Sequence, residues 1–275
     1  MPTPTHRDLS DSSGSKRPVA IVTGGAGAGI GCGITEALAR RGWQVLIIDA
    51  DASAITKLQH ALSIEGFQID GIVRDITSDH AAELTIEETL KRYRRLDGLV
   101  NNAGVGLCKP VAEIEDEEFE RILDVDFRAM FRFCRAALRA MMPAGGSIVN
   151  IGSIHAHRSV RGFSVYAAVK SGLEAFTRGI AVDYGGQNIR ANCIHPGLVM
   201  SAQNHSLIKK LDPDVESWIS SYTATKQLIP SLVTAGQVGG LVSFLLSSEA
   251  ATITGQSITI DGGSSAMLFE RKAGQ

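Results

Sequence analysis

From Pro18 onward the chain alternates between short β-branched, apolar runs and longer stretches carrying an apolar position every three or four residues. PVAIVT precedes a helical pattern to Arg41, QVLIID one through Leu62, and FQIDGIV one to about Tyr93. LDGLVN leads to a long helix within 117–142, GSIVNIG to a helix through Tyr184, and IRANCIH to a stretch without rhythm. Strand and helix in strict alternation predict a parallel sheet, because right-handed crossovers lay helices on both faces and the strands are then buried from both sides. The expected fold class is α/β, a single doubly wound parallel sheet over residues 18–265, with a polar N-terminal tail at 1–17 and a C-terminal tail at 266–275.

Residues 200 to about 230 are polar, contain Pro213 and Pro230, and keep no period. A long irregular segment in an α/β domain predicts a lid over a site rather than a packing element. A helix at about 236–248 and the strand SITID then resume the pattern. Charge narrows the partners: 27 Lys and Arg against 29 Asp and Glu give a net charge of −2, too balanced to draw nucleic acid or an anionic membrane by overall field. The expected partner is a small molecule. No apolar run reaches the roughly 18 residues that span a bilayer, and the polar start lacks a secretory core, so a cytoplasmic protein is expected. Cys32, Cys108, Cys134 and Cys193 lack CxxC spacing and read as buried thiols, with no disulfide and no metal assigned.

Directly after the first strand comes Thr23-Gly24-Gly25-Ala26-Gly27-Ala28-Gly29-Ile30-Gly31, then helix. Glycines let backbone N–H groups approach a pyrophosphate at the positive end of the helix. Asp49 follows 18 residues beyond Gly31, at the end of the second strand. Its carboxylate is placed to accept from a ribose 2′-OH and would repel a 2′-phosphate, and no Lys or Arg in the loop or beside Asp49 offsets that repulsion, which favours NAD over NADP. The other reading of Asp49, a cap of the next helix, suits Asp51 better.

Tyr166 and Lys170, four apart, share one helix face. A free tyrosine ionises near pH 10, and a neighbouring cation favours its phenolate, which makes Tyr166 usable as an acid/base. Ser153 lies 13 residues upstream, just past GSIVNIG, at the strand edge where open parallel sheets bind ligands.

With these motifs the sequence resembles the short-chain dehydrogenase/reductase family over about residues 17–265. The residues that carry the resemblance are the Thr23–Gly31 loop, Asn101-Asn102-Ala103-Gly104, Ser153, Tyr166-Ala-Ala-Val-Lys170, Asn192 with Pro196-Gly197, and Asp261-Gly262-Gly263. The resemblance implies a Rossmann domain, nicotinamide-dependent interconversion of an alcohol and a ketone, and a homo-oligomer, tetramer or dimer. It further implies that Gly24, Gly29, Ile30 and Gly31 meet the pyrophosphate, that Asp75 and Ile76 flank the adenine, and that Asn102, Ala103 and Gly104 lie along the coenzyme. Pro196, Gly197 and Val199 would border the nicotinamide, with Val199 at its carboxamide.

Two departures stand out. The glycine loop is one residue longer than the family's, and Gly29 is taken over Gly27 for the middle position. Asp126 stands where the family usually has an Asn beside the Lys; a carboxylate only accepts, so it is expected either to pair with Lys170 and raise the Tyr166 pKa, or to orient the same water without kinetic consequence. Among pocket residues, His155 and Gln203 are the leading substrate contacts, His157 and Arg161 read as loop-surface residues, and Asn204, His205, Trp218 and Tyr222 belong to the lid. The arginines at 128, 132, 135 and 139 read as a solvated or subunit-facing stripe. Two rival functions, a coenzyme-binding scaffold without turnover and a non-redox lyase on the same fold, are disfavoured by intact Ser153, Tyr166 and Lys170 and by the phosphate loop with Asp49.

Overall fold

A computed structural model describes residues 17–142 and 144–269. Seven strands form one parallel sheet: β1 (Val19–Thr23), β2 (Gln44–Asp49), β3 (Asp70–Val73), β4 (Gly98–Asn101), β5 (Gly146–Ile151), β6 (Ile189–Pro196) and β7 (Ser257–Ile260). Their spatial order is β3-β2-β1-β4-β5-β6-β7, so the chain reverses direction across the sheet between β1 and β4. Ligands of doubly wound sheets sit at that reversal, beyond the carboxyl ends of the strands.

The period of two along each strand splits the core into two layers. Val22, Ile47, Val100, Val149 and Ile194 face one side, where they meet Ile34 and Leu38 of α1 (Ile30–Arg40), Leu58 of α2 (Ala52–Ile64) and Val242 of α9 (Ala235–Leu246). Ile21, Leu46, Ile48, Leu99 and Ile148 face the other, against Ile86 of α3 (Ala81–Tyr93), Phe133 and Met141 of α5 (Ala129–Met141) and Ile180 of α6 (Ser164–Tyr184). Burial on both faces is why these strands read as unbroken apolar runs. Asp51 caps α2 by accepting from the amides of Ser53 and Ala54, which leaves Asp49 out of that role.

The expected helix within 117–142 is interrupted. Residues Asp116–Leu123 form α4, and a five-residue π turn, Asp124–Arg128, joins it to α5. The wider turn carries Asp126 into the interior, fully buried; π bulges of this kind concentrate at functional sites. Three arginines of the stripe are tied within the chain: Arg128 pairs with Asp124, Arg132 donates to the Thr77 carbonyl and Arg135 pairs with Glu83 of α3.

The segment at 200–230 is also more regular than its polarity implies. It holds α7 (Ala202–Leu211), capped by Ser201, and α8 (Val215–Lys226), capped by Asp214. α8 buries no residue completely, because it covers a cleft rather than the core, and a helix in that position needs no apolar stripe. The expected tail at 1–17 lies outside the described residues except for Arg17. The C-terminal stretch is described to Phe269 and is anchored where Arg158 donates to the Met267 carbonyl. Just before it, Asp261 is 6% exposed and accepts from the amides of Gly263 and Ser265 and the hydroxyl of Ser264.

Burial raises the Asp261 pKa, but those donors outweigh it and hold the carboxyl below its usual range. A depressed folded-state pKa means its stabilisation is present above the unfolded pKa and lost as pH falls through the folded one. Asp261→Ala is expected to lower stability by about 2 kcal/mol at pH 7, and by progressively less as acid protonates the carboxyl, in paired urea titrations.

Candidate active site

The turn after β1 places its glycines by necessity rather than composition. A Cβ on Gly31 would run into the Gly24 carbonyl oxygen and the Asn102 side-chain amide. Gly29, with φ 153° and ψ −148°, holds a backbone conformation open essentially to glycine alone, whereas Gly27 has open space around it. The conformational demand in the lengthened loop therefore falls on Gly29. Asn102 ties the loop down by donating to the carbonyls of Thr23 (3.1 Å) and Gly24 (2.9 Å), and the Thr23 hydroxyl accepts from the amides of Asn102 and Ala103. Asp49 closes the far end: one oxygen accepts from the Ala26 amide and the other from the Asp51 amide, each at 3.1 Å.

β5 delivers Ser153, 8% exposed, to the carboxyl edge of the sheet. On the first turn of α6 sits Tyr166, and one turn on, 5.5 Å from the centre of its ring, lies the ammonium of Lys170. Lys170 is buried, donates to the Ile151 carbonyl at 3.3 Å and lies 3.0 Å from Asp126 Oδ2. Asp126 Oδ1 accepts from the Val105 amide at 2.7 Å, so the carboxylate links the Lys to the segment that follows β4. Burial works against the Lys170 charge, yet the negative charge of Asp126, joined by that of Tyr166 when ionised, more than offsets it and raises the Lys170 pKa. The ammonium consequently persists through the neutral and alkaline range. Of the two expectations for Asp126, the pairing with Lys170 is the one the geometry contains.

These groups line one cleft of about 2340 Å³, together with Gly24, Ile30, Asp75, Ile76, Gly104, Pro196, Gly197 and Val199. A drug-sized pocket occupies roughly 300–1,000 Å³, so this cleft has room for a dinucleotide beside a second molecule. Asp75 spends one oxygen on the Thr77 amide and hydroxyl, which fixes the turn at the adenine-side wall.

His155 lines the cleft, stacks on Phe163 at 4.4 Å and meets the Tyr166 ring edge-on. Burial lowers its pKa, and its Nδ1 is buried without a partner. The substrate contact expected of His155 is therefore that of a neutral hydrogen-bonding imidazole. Gln203 reaches the cleft across Gly106. Asn204 instead donates to the Val199 carbonyl at 2.7 Å and anchors α7. Trp218 and Tyr222 stack at 5.2 Å and form part of the wall. Exposed and outside the cleft lining, Arg161 and His157 fit the surface reading, although His157 turns toward Glu174.

Several lining residues escape the sequence reading. Ser201 sits 3.3 Å from where a Gly29 Cβ would lie, and only its capping pattern with Asn204 marks it. Leu268 and Phe269, 78% and 81% exposed, reach the cleft from the C-terminal stretch read as tail. Cys108 is exposed at the cleft, against the expectation of four buried thiols. Cys134 and Cys193 are buried, and burial pushes both up to about 12, so neither is a thiolate at neutral pH.

A family profile described as Enoyl-(Acyl carrier protein) reductase matches residues 25–265. The chain is 30% identical over 259 residues to levodione reductase of Leifsonia aquatica, covering 90% of this chain and 94% of that protein. It is 31% identical over 252 residues to cyclopentanol dehydrogenase of a Comamonas species, covering 89% and 96% respectively. Among solved structures, L-sorbose reductase of Gluconobacter frateurii, complexed with NADPH and L-sorbose, superposes with a TM-score of 0.86 at 25% identity, over 92% of this chain and 98% of that one.

Proposed function

Because the chain belongs to the short-chain dehydrogenase/reductase family and is a secondary alcohol dehydrogenase/ketoreductase, we propose that Ser153, Tyr166, Lys170 and Asp126 carry its chemistry with NAD as preferred coenzyme. The observation that carries this reading is the buried Lys170, one helical turn below Tyr166 and held by Asp126 and the Ile151 carbonyl at the strand edge. The glycine turn fits a dinucleotide, since the close approach of Gly31 to Gly24 and Asn102 and the backbone of Gly29 require glycine, and the turn opens α1 at the cleft, where a helix N-terminus favours an anion. Gly24, Gly29, Ile30 and Gly31 would hold the pyrophosphate, Asp49 the adenosine ribose, Asp75 and Ile76 the adenine edge, and Asn102, Ala103, Gly104, Pro196, Gly197 and Val199 the nicotinamide half. When bound, nicotinamide supplies the hydride acceptor for a carbinol carbon and, in reduced form, the donor to a ketone.

The protein's own groups manage the proton. Tyr166 as phenolate removes the alcohol proton in oxidation and, as phenol, returns it in reduction. Lys170 keeps the phenolate accessible, and Ser153 donates to the substrate oxygen and aligns it with Tyr166. A neutral His155, the Trp218–Tyr222 stack, Phe163, Leu268 and Phe269 favour an uncharged, largely apolar alcohol or ketone, with His155 and Gln203 meeting its polar end. A homo-oligomer, which the family resemblance implies, is part of this proposal.

Asp49 supports NAD because a 2′-phosphate would stand against its carboxylate. Arg74, on the neighbouring strand end, is engaged by Thr85 at 2.7 Å and Glu88 at 3.9 Å. Asp49→Ser is expected to shift the ratio of kcat/KM for NAD over NADP by about tenfold or more toward NADP, read as reduced-nicotinamide absorbance across a panel of cyclic alcohols. An unchanged ratio would remove Asp49 from coenzyme choice.

A further inference from the structure

Behind Ser153, on the side away from the cleft, three donor side chains converge from three parts of the chain. His195 comes from β6, Glu174 from the third turn of α6 and His157 from the loop after β5, and their donor atoms all lie within 4.8 Å of one another. Glu174 Oε2 is 3.5 Å from His157 Nε2 and 3.5 Å from His195 Nε2. An N–H···O bond spans about 2.7–3.2 Å, so neither imidazole makes a good hydrogen bond to this oxygen. Bonds of about 2.1 Å to a tetrahedral zinc ion place neighbouring ligand atoms about 3.4 Å apart, close to the 3.5 Å from Glu174 Oε2 to each imidazole.

His195 supplies an independent observation. Its side chain is fully buried, and its Nε2, aimed into the cluster, has no hydrogen-bond partner. Its Nδ1 lies 2.8 Å from the Ser153 carbonyl oxygen, closer than the 3.1 Å to the Ser153 amide. The Ser153 amide donates to Nδ1 in one tautomer; in the other the ring proton sits on Nδ1, bonded to the nearer Ser153 carbonyl, and Nε2 then presents a lone pair to a carboxylate oxygen. In that second tautomer two acceptors face each other, and a bound cation would satisfy both. An imidazole donating its second nitrogen to a backbone carbonyl is the usual arrangement behind a metal-bound histidine. The other Glu174 oxygen lies 3.2 Å from Arg178, which leaves Oε2 as the free ligand.

We propose that His157, Glu174 and His195 form a site for a zinc-class divalent ion, with a fourth position open to water beside the exposed His157. None of the three lines the cleft, so the ion takes no part in proton or hydride transfer. It acts as a brace: fixing His195 fixes the backbone at Ser153. This inference does not depend on the dinucleotide reading, and its test involves no coenzyme.

Tag-free protein stripped with chelator and exchanged into chelator-free buffer is titrated calorimetrically with ZnCl₂ and, separately, MgCl₂. Saturable zinc binding at one equivalent per chain with a rise in Tm is expected, and no magnesium binding, because a two-imidazole set suits the softer ion. Glu174→Gln and His157→Ala, each checked for an unchanged metal-free Tm, are expected to weaken zinc binding by about a hundredfold. Absence of saturable zinc binding, or zinc binding that both variants leave intact, would overturn the proposal.

Discussion

Tyr166→Phe is expected to cost about three orders of magnitude in turnover while leaving NAD affinity within a fewfold of the natural protein's. The substitution removes one oxygen and keeps the ring, whose edge contacts with His155 and Phe163 hold that wall in place. Proton removal from the alcohol then has no side-chain acceptor in line with Ser153. The loss should appear in kcat more than in KM, because the phenolate acts on the reacting hydroxyl rather than on substrate binding as such. Turnover within tenfold of the natural value would remove Tyr166 from the chemistry. Lost turnover accompanied by lost coenzyme binding would point to a damaged fold instead, which thermal melting separates.

The second large effect is expected at Asp126. In oxidation the alcohol proton passes to Tyr166, and Lys170 stays charged throughout because Asp126 outweighs burial and raises its pKa. The same carboxylate offsets the field that Lys170 exerts on the phenol. Asp126→Asn removes that offset while keeping the shape and the oxygen that accepts from Val105. The ammonium then turns to the phenolate as its remaining counter-charge, and the pH profile of oxidation is expected to move to lower pH. Natural and variant profiles that superimpose would confine Asp126 to holding Val105 and Lys170 in place.

The sheet was legible in the sequence because burial on both faces leaves a trace: β1, β2, β4, β5 and β6 are buried along nearly their whole length, and the first two read as apolar runs. The glycine loop, Asp49, Ser153, Tyr166 and Lys170 were legible for a related reason, since each sits at a strand end or one helical turn from its partner. What escaped depends on contacts without a local signature. The π turn that buries Asp126 reads as ordinary helix, because amphipathic spacing tolerates one added residue. α7 and α8 hid their helical character by covering a cleft, and Leu268 and Phe269 looked like tail because their partners lie far back in the chain. The buried pair Asn101–Asn150, bonded at 2.8 Å and extended to Thr177, was invisible for the same reason. Residues 157, 174 and 195 have no metal-ligand spacing; only the return of β6 beside β5 brings them together.

In the proposed function the glycine turn and Asp49 hold a nicotinamide dinucleotide against Tyr166 and Lys170. Isothermal titration of the natural protein with NAD and NADH at neutral pH tests it most directly. Saturable binding of both at one site per chain is the predicted result, and no detectable heat with either across a wide concentration range would contradict the claim.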